Sequence, residues 1–501
     1  MNQARTIGEL RSSGYAVQSV KDEARSNLIR KLQTGEQLFP GIIGYEQTVI
    51  PALVNALLAK HDILLLGLRG QAKSRLVRML PSLLDEYVPV VKGCEINDNP
   101  FKPVCKRCTE LVKQSGDEVE IEWLHRDARF SEKLATPDVT IADLIGDIDP
   151  IKAATQRLHY AHEGAIHFGI VPRTNRGIFA INELPDLQPR IQVGLFNIME
   201  EKDIQIRGFN VRIPLDVMII FTANPEDYTN RGNLITPLKD RIDSQIITHY
   251  PRTLEDAITI TRQEAWLQRD GRKITIPHYF REIIEQVAFE ARKSEFVDQK
   301  SGVSARFTIS AMENLVSNAE RRAIVLNDPC VVPRICDLLH ALPGMTGKVE
   351  LVFEGEQEGA IKISKALVGK AVREVFKKYF PDPLQRRAKQ TAEGRQQDDS
   401  EYGAVVRWFE SGNRIEIADD MPLEAYFREL DRVKGLREVT KKHMKVSESD
   451  TYELSSAMEF VLDALHQSSK LAKDEVDHVT SYKDMVGSIF SGRGKSIEEE
   501  L

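Results

Sequence analysis

The segment His61–Leu76, HDILLLGLRGQAKSRL, combines residue types and spacings that suit phosphate binding. Its short apolar run, Ile63–Leu66, is typical of a central parallel strand. Gly67 and Gly70 then let the backbone turn tightly and point N–H groups at a phosphate. We therefore expect a nucleotide-phosphate site directly after this strand.

Lys73 and Ser74 follow the turn and open an amphipathic helix. The Lys73 ammonium is expected to reach the β- and γ-phosphates, and the Ser74 hydroxyl to bind Mg²⁺. The pattern G-x-x-x-x-G-K-[ST] is met except at Ala72, which stands where the second glycine belongs. A methyl group there is tolerable at negative φ and costly otherwise. The residues predicted to hold the nucleotide are Gly67, Gly70, Gln71, Ala72, Lys73 and Ser74.

A second apolar run, Ile178–Ile181, ends in the polar pair Asn182-Glu183. In P-loop ATPases this pair is usually Asp-Glu, in which the Asp holds the Mg²⁺ shell and the Glu activates the attacking water. We expect Glu183 to polarise water in the same way. Asn182 keeps an oxygen for a water-mediated Mg²⁺ contact but lacks the charge, so hydrolysis is expected to be slower or to need more Mg²⁺.

The candidate site is completed by three more residues, which lie later in the chain. Asn224 follows another apolar strand, where a side-chain amide can position the lytic water. Arg241 ends the next predicted helix and is expected to reach the γ-phosphate of a neighbouring subunit. Arg306 begins a later helix and is expected to sense the same phosphate. Each has an ordinary alternative, as a strand-end cap or a surface ion-pair partner, but their order along the chain favours a nucleotide-binding motor core.

The elements that must position these residues alternate between apolar runs and helical patterns from Gly41 to Pro251, which predicts a parallel α/β sheet. The expected fold class is a three-layer αβα P-loop core, followed by a helical lid and a C-terminal helical domain. The predicted divisions are a helical leader (1–40), the nucleotide-binding core (41–251, with a β-hairpin at 203–213), the lid (252–380), a polar linker (381–402) and the C-terminal domain (403–501).

The composition is that of a globular protein, with 42% apolar and 29% charged residues and a net charge of −7 over 501 residues. The negative balance argues against a general nucleic-acid binder. No apolar run reaches the ~18 residues of a membrane span, and the N-terminus lacks the apolar core of a signal peptide. Five cysteines in so long a chain do not make a disulfide framework. We expect a cytoplasmic protein that binds neither nucleic acid nor membrane.

The most specific sequence features are the segments Phe39–Gln47 (FPGIIGYEQ), Val91–Cys94, Asp143–Asp149 and Thr174–Ile178 and the hairpin Asp203–Ile213. With them the chain resembles the AAA+ superfamily and, within it, the clade of the magnesium chelatase ATPase subunit (subunit I) and the MoxR-type ATPases. The resemblance extends over roughly residues 39–379. It implies ATP and Mg²⁺ bound at the subunit interfaces of a ring, usually a hexamer, and a partner with a von Willebrand A-type domain.

The function that follows is a ring-forming AAA+ ATPase that converts ATP hydrolysis into remodelling of a partner protein. Two alternatives stay open: the motor subunit of a chelatase that inserts magnesium into a porphyrin, and a nucleotide-binding scaffold that hydrolyses poorly because of Ala72 and Asn182. The sigma-factor activators of the same superfamily depend on a GAFTGA-type loop, which this sequence lacks.

The cysteines suggest a rival site. Cys105 and Cys108 form a C-x-x-C pair, with Cys94 upstream and His125 downstream, and together these four residues could form a Cys₃His zinc site. The resemblance already accounts for Cys94, and His125 lies in an ordinary loop or strand end. Reduced thiols in an insertion are therefore the preferred interpretation.

Overall fold

A computed structural model of the chain describes residues 4–155, 163–206, 212–225, 234–269, 271–384, 401–447, 449–476 and 478–485. It consists of two units, Met1–Tyr250 and Pro251–Leu501. Among the described residues, none of the helices is both long and apolar enough for a membrane crossing.

The first unit alternates strands and helices. Its strands are β1 (Ile63–Leu66), β2 (Tyr87–Val91), β3 (Ile121–His125), β4 (Phe130–Leu134), β5 (Gly146–Ile148), β6 (Ile166–Phe168), β7 (Gly177–Asn182), β8 (Asp203–Gln205), β9 (Arg212–Pro214), β10 (Val217–Ala223) and β11 (Ser244–Ile247). Its α-helices are α1 (Ile7–Ser12), α2 (Val20–Thr34), α3 (Val49–Leu58), α4 (Lys73–Met79), α5 (Lys106–Ser115), α6 (Ile141–Leu144), α7 (Pro150–Thr155), α8 (Ile170–Arg173), α9 (Pro189–Gly194), α10 (Phe196–Glu200) and α11 (Thr236–Arg241).

A five-stranded parallel sheet with the order β11-β1-β10-β7-β4 forms the centre of this unit. In the register of β1 with its two neighbours, Leu66 pairs with Ala223 on one side and with Ile247 on the other. The carboxyl ends of the three strands therefore meet at one edge of the sheet, and the loops that follow them lie side by side.

Both faces of the sheet are buried. In β1 the Leu64 side chain belongs to one apolar cluster, whereas Ile63 and Leu65 belong to another, as the two-residue period of a strand requires. Helices α9 to α11 contribute to the first cluster and α2 to α4 to the second. The layers are thus helix, sheet and helix, which confirms the expected αβα core.

The predicted hairpin is present at its base. Strands β8 and β9 pair antiparallel, with Asp203 opposite Pro214 and Gln205 opposite Arg212. Alternating apolar and polar residues place the Ile204 and Ile213 side chains in the core of the sheet. The turn itself, 207–211, lies outside the described residues.

The second unit is mostly helical. Its α-helices are α12 (Leu254–Glu264), α13 (His278–Ala291), α14 (Ala305–Val325), α15 (Asp337–His340), α16 (Leu342–Thr346), α17 (Phe353–Glu358), α18 (Ala360–Tyr379), α19 (Gly403–Glu410), α20 (Leu423–Asp431), α21 (Leu436–His443) and α22 (Thr451–Gln467). Its strands are β12 (Lys273–Ile274), β13 (Cys330–Val331), β14 (Ile415–Ala418), β15 (Ala472–Val476) and β16 (Val479–Lys483).

The main apolar core of the second unit joins its two predicted parts, and a smaller cluster of Ala319, Ala323 and Val331 lies apart from it. The main core contains residues of the predicted lid, in α13, α14 and α18, and residues of the predicted C-terminal domain, above all in α22. The Tyr279 ring stacks on that of Phe460, with the ring centres 4.7 Å apart. The sequence pattern did not predict the antiparallel sheet β14-β16-β15 of this unit. Residues 385–400 of the predicted linker lie outside the described residues.

Candidate nucleotide-binding site

The loop between β1 and α4 needs both of its glycines, for different reasons. A Cβ at Gly67 would lie 1.9 Å from Thr248 Oγ1 and 2.2 Å from Gln71 Oε1, so no side chain fits there. Gly70 has φ of +76°, in the left-handed region that favours glycine. The loop can therefore follow its tight path only with these residues, as its sequence predicts.

Gln71 fixes the loop to the rest of the core. Thr248 Oγ1 donates to Gln71 Oε1 at 2.7 Å, and the Tyr45 hydroxyl lies 2.8 Å from the Gln71 carbonyl oxygen. The same hydroxyl is 2.9 Å from the His249 carbonyl oxygen. Burial raises the pKa of Tyr45 to about 12, so the hydroxyl stays a donor. The sequence analysis missed Tyr45 and Thr248 as supports of the loop, although Tyr45 lies in the Phe39–Gln47 segment.

Ala72 has φ of +55° and ψ of 16°, which is left-handed backbone at the residue before α4. The φ of Ala72 is positive, and this is the conformation in which a methyl group at this position is costly. An L-residue in this conformation costs about 1–2 kcal/mol because Cβ approaches the following carbonyl oxygen. The loop thus keeps the shape that a glycine would give it, and the strain is stored at this position.

Lys73 lies at the centre of the site, with only 7% of its surface exposed. Its ammonium donates to the carbonyl oxygens of Gly67 and Leu68, the latter at 3.0 Å. It also donates to Asn224 Oδ1 at 2.9 Å. Asn224 Nδ2 in turn donates to Glu183 Oε2 at 2.7 Å. One hydrogen-bonded chain therefore joins Lys73, Asn224 and Glu183, which follow β1, β10 and β7.

Glu183 has left-handed backbone, with φ of +55°, and its N–H donates to Thr222 Oγ1 at 3.2 Å. The Thr222 hydroxyl donates to Asn182 Oδ1 at 3.1 Å. Thr222 on β10 thereby sets the orientation of both members of the polar pair. Such a turn directs the Glu183 side chain toward Asn224 rather than along the strand.

Asn182 is accompanied by a carboxylate that the sequence analysis missed. Its Nδ2 donates to Glu132 Oε1 at 2.8 Å, and Glu132 on β4 also accepts two 2.8 Å hydrogen bonds from Arg78. The Arg78 hydrogen bond is the main cause that lowers the pKa of Glu132. A carboxylate, itself paired with Arg78, therefore stands beside Asn182. No local pattern marks Glu132, because it is one charged residue on an edge strand.

The residues at this edge fit a nucleotide triphosphate and its Mg²⁺. A buried lysine ammonium lies against the loop, where it donates to the carbonyl oxygens of Gly67 and Leu68. Ser74 is exposed in the first turn of α4, next to Lys73. The hydroxyl of Ser74 and the side-chain amide oxygen of Asn182 are oxygen ligands of the kind that Mg²⁺ prefers.

Arg241 ends α11, and groups of the first unit hold its guanidinium. Nε and Nη2 each lie 2.8 Å from Glu200 Oε2, and Nη1 donates to the Pro237 carbonyl oxygen at 2.9 Å. The guanidinium carbon stands 4.7 Å from the centre of the Phe196 ring. Because Glu200 is exposed, the ion pair is weak enough to be exchanged for another anion. The role of Arg241 in trans stays a prediction.

Arg306 lies in the second unit, exposed in the first turn of α14. Its N–H donates to the hydroxyl of Ser304, the N-cap residue, at 3.2 Å, so the serine begins the helix as predicted. The proposed contact of Arg306 with a phosphate stays a prediction.

The structure brings Cys94, Cys105 and Cys108 together, and it adds Asp98 to them. His125 lies elsewhere: its ring packs edge-on against Tyr87, with the ring centres 5.2 Å apart. The hydrogen bonds of the other two thiols lower the pKa of Cys94 to about 3. The fourth residue of the cluster thus differs from the one that the sequence suggested.

Comparison with known proteins gives matches to part of the chain. The Sigma-54 interaction domain family matches residues 159–247. The Magnesium-chelatase 67 kDa subunit of Heliobacterium mobile is 28% identical over 194 residues, which are 38% of this chain and 28% of that protein. The Archaeal Lon protease of Thermococcus kodakarensis is 28% identical over 170 residues, which are 30% of this chain and 25% of that protein. The chain thus spans roughly a quarter of the length of these two relatives.

Among solved structures, one similar chain belongs to a complex between subunits BchI and BchD of magnesium chelatase. It is 19% identical, and the match covers 64% of this chain and 98% of that chain with a TM-score of 0.33.

Proposed function

We propose that the chain is an AAA+ protein of the magnesium chelatase and MoxR-like type, as its matches to the Sigma-54 interaction domain family and to a magnesium-chelatase subunit support, and that its first unit binds ATP with Mg²⁺ and hydrolyses the terminal phosphate. The observation that carries this proposal is the hydrogen-bonded chain from Lys73 through Asn224 to Glu183. It connects a cation for the phosphates with a carboxylate for water across three neighbouring strand ends.

Lys73 serves as the point charge that opposes the β- and γ-phosphates. Its ammonium is held by the Leu68 carbonyl oxygen and by Asn224, so it is already directed at the loop that would cradle the phosphates. Phosphate oxygens are stronger acceptors than carbonyl oxygens, and the ammonium therefore gains from the exchange. Gly67 and Gly70 allow the loop backbone to approach the phosphates closely.

Glu183 is placed to act as the base that orients and activates water. Asn224 Nδ2 donates to Glu183 Oε2 and thereby orients the carboxylate for this role. Asn224 Oδ1 also accepts a hydrogen bond from the Lys73 ammonium. The Asn224 amide therefore couples the position of that ammonium to the orientation of the Glu183 carboxylate. Mg²⁺, held by Ser74 and Asn182 with water molecules, would supply the charge that neutralises the phosphate oxygens.

We further propose that the active form is a ring of six subunits, in which Arg241 acts across the interface and Arg306 senses the γ-phosphate. The exposed, exchangeable ion pair of Arg241 supports a role in trans. Hydrolysis would then remodel a partner protein, for which a protein with a von Willebrand A-type domain is our candidate, in a cytoplasmic setting.

The test of ATP binding compares Lys73→Ala with Lys113→Ala, a change of an exposed lysine on α5. We expect Lys73→Ala to abolish binding of ATP with Mg²⁺ and turnover, because it removes the charge that opposes the phosphates. Lys113→Ala should behave as wild type. Unchanged affinity of Lys73→Ala in a nucleotide titration would refute the site.

The test of the ring mixes two inactive proteins, Arg241→Ala and Lys73→Ala. Some interfaces of the mixed rings would pair an intact loop with an intact arginine, so part of the turnover should return. If mixed assembly is confirmed and no mixing ratio restores turnover, Arg241 is only a partner of Glu200 and Phe196.

The identity to the Magnesium-chelatase 67 kDa subunit favours a second candidate function, the motor subunit of a metal chelatase that inserts magnesium into a porphyrin. A Glu183→Gln protein, which binds ATP but cannot activate water, should retain its client in a pull-down from native lysate. Capture of a porphyrin-binding subunit would support the chelatase, and capture of a von Willebrand A-domain protein would support the remodelling motor.

A further inference from the structure

The insertion between β2 and β4 contains a cluster of thiols that the nucleotide site does not use. Cys94 lies in the turn after β2, Cys105 is the N-cap of α5, and Cys108 is in the first turn of that helix. One donor atom from each of these and one carboxylate oxygen of Asp98 all lie within 4.8 Å of one another. All three cysteines are free of disulfides.

This spacing is that of a tetrahedral metal site. With Zn–S bonds of about 2.3 Å, sulfur atoms at the corners of a tetrahedron stand about 3.8 Å apart. Three thiolates and one carboxylate oxygen are a donor set that suits Zn²⁺. The four donors lie within residues 94–108, in the turn after β2, the loop that follows it and the start of α5, so the fold of this segment brings them together.

Backbone N–H groups near the cluster donate to its sulfur atoms and stabilise thiolates. The Asp98 N–H donates to Cys94 Sγ at 3.4 Å, and the Cys108 N–H donates to Cys105 Sγ at 3.3 Å. Hydrogen bonds from N–H groups to sulfur orient metal-bound thiolates and disperse their charge. An apolar packing role for the same cysteines would not call for donors at two of the sulfurs.

Asp98 is fully buried, which is rare for an aspartate without a charged partner. Its two oxygens accept from the N–H groups of Val104, at 3.1 Å, and Cys105, at 3.0 Å. These bonds fix the carboxylate plane, and each oxygen keeps a lone pair for a metal. A buried carboxylate beside three thiols is explained if a divalent cation sits among them.

The cluster occupies a part of the molecule with little apolar core of its own. The buried apolar residues there are Ile7, Leu10, Val91, Cys108, Val119 and Ile121. Cys94 and Cys105 are packed both against this group and against the core of the main sheet. A small core gains stability from a metal that joins its chain segments, since binding energy then becomes folding energy.

We propose that Cys94, Cys105, Cys108 and Asp98 bind one structural zinc ion that holds the insertion between β2 and β4 in place. Binding releases the protons of the thiols, because the ligands are thiolates. The site is separate from the nucleotide site, so the proposal stands or falls without the ATPase.

The test uses the full chain, purified reduced and without chelator, with zinc measured by elemental analysis. We expect about one zinc per chain, lost in Cys105→Ser and retained in Cys330→Ser, which changes a free cysteine of the second unit. Asp98→Asn should weaken zinc binding more than tenfold, whereas His125→Ala should leave it unchanged and thereby separate the two candidate fourth ligands. Zinc removal should increase hydrogen exchange within residues 94–125 without changing the affinity for ATP.

A second measurement needs no variant and so remains decisive if Cys105→Ser does not fold. Wild-type protein freed of metal and titrated with Co²⁺ should reach saturation at one equivalent, with thiolate-to-cobalt charge-transfer absorption and the intense visible bands of a tetrahedral site. Absence of these bands, together with zinc content near zero after reconstitution with zinc chloride, would overturn the proposal. Recovery of Cys105 and Cys108 as a disulfide from the reducing preparation would also overturn it.

Discussion

Lys73 in the first unit and Asp337 in the second are both buried charged residues, yet their surroundings differ. Lys73 is held by loop carbonyl oxygens and by Asn224, next to the exposed residues Arg69 and Ser74. Asp337 is fully enclosed and accepts bidentate hydrogen bonds of 2.6 and 2.8 Å from Arg322. The first arrangement leaves a charge that a ligand can take over, and the second satisfies its charge within the protein.

Burial and a shifted pKa therefore do not by themselves identify a functional residue. Burial raises the pKa of Glu285 to about 7 in the second unit, where the candidate nucleotide site does not lie. Buried charges can perturb one another's protonation in structural networks as well as in functional sites. What distinguishes the nucleotide site is that its polar groups converge from several strand ends on one glycine-containing loop.

The largest expected effect comes from breaking the enclosed charge pair. Asp337→Ala leaves the Arg322 guanidinium buried without its carboxylate, so we expect a loss of about 3–5 kcal/mol in the free energy of unfolding. Denaturant unfolding measures it. Glu429→Ala, which removes the carboxylate partner of the exposed Arg432, should cost less than about 1 kcal/mol. Equal costs for the two variants would contradict the structural role of the Asp337 network.

Asn224→Ala tests the opposite prediction for the first unit. It interrupts the chain between Lys73 and Glu183, and we expect turnover to fall by about 10²–10³-fold, as for loss of one oriented donor in an active site. The free energy of unfolding should change little. Asn55→Ala, at an exposed position of α3, is the matched control and should keep wild-type turnover. A destabilised but fully active Asn224→Ala protein would reassign Asn224 to structure.

Glu285 provides a pH test of the second unit. Its folded pKa of about 7 lies above the ordinary 4.5, because burial disfavours the charged form although Thr261 and Thr308 donate to it. The folded state therefore binds more protons between pH 4.5 and 7, and its contribution to stability falls as pH rises through that window. The expected change is on the order of 2–3 kcal/mol.

Glu285→Gln removes the titrating group and keeps an oxygen for the Thr261 hydroxyl. Its free energy of unfolding should therefore vary less with pH across this window than that of wild type. Glu295→Gln, an exposed change, should follow the wild-type profile. Parallel profiles for Glu285→Gln and wild type would show that Glu285 does not cause the dependence.

The smallest effects concern Ala72 and Asn182. Ala72→Gly should raise the free energy of unfolding by up to about 1 kcal/mol, because relief of left-handed strain exceeds the added chain entropy. Ala52→Gly in α3 should lower it by a similar amount. If the site is a working motor, Asn182→Asp should raise turnover or reduce the Mg²⁺ requirement, since an ionic acceptor then joins the metal shell.

If instead the protein is a weakly hydrolysing scaffold, only the double change Ala72→Gly with Asn182→Asp should recover hydrolysis. Steady-state ATPase rates of wild type, both single variants and the double variant across a Mg²⁺ series separate the two. Brisk wild-type turnover that Asn182→Asp leaves unchanged would contradict both, and would indicate that the neighbouring Glu132 carboxylate serves instead.

The strands around the nucleotide site were predictable because their signal is local. Ile63–Leu66 is a strand with the predicted bounds, and the run Ile178–Ile181 lies within β7, which extends one residue further at each end. Buried parallel strands are continuous apolar runs, and their order along the chain places Lys73, Glu183 and Asn224 at one edge. By contrast, β14 to β16 were missed, since these short strands carry charged residues and only pairing defines them.

The sequence alone determined the αβα core, the loop with its two glycines and the residues that meet at the strand ends, because periodicity and turn chemistry act over a few residues. Only the tertiary structure decided the left-handed backbone at Ala72, the carboxylate of Glu132 beside Asn182, and Asp98 rather than His125 beside the thiols. Glu132 and Asn182 are 50 residues apart in the chain, and Asp98 meets the thiols only through the way in which segment 94–108 folds. Such contacts leave no periodic pattern, because they arise only when separate elements pack together.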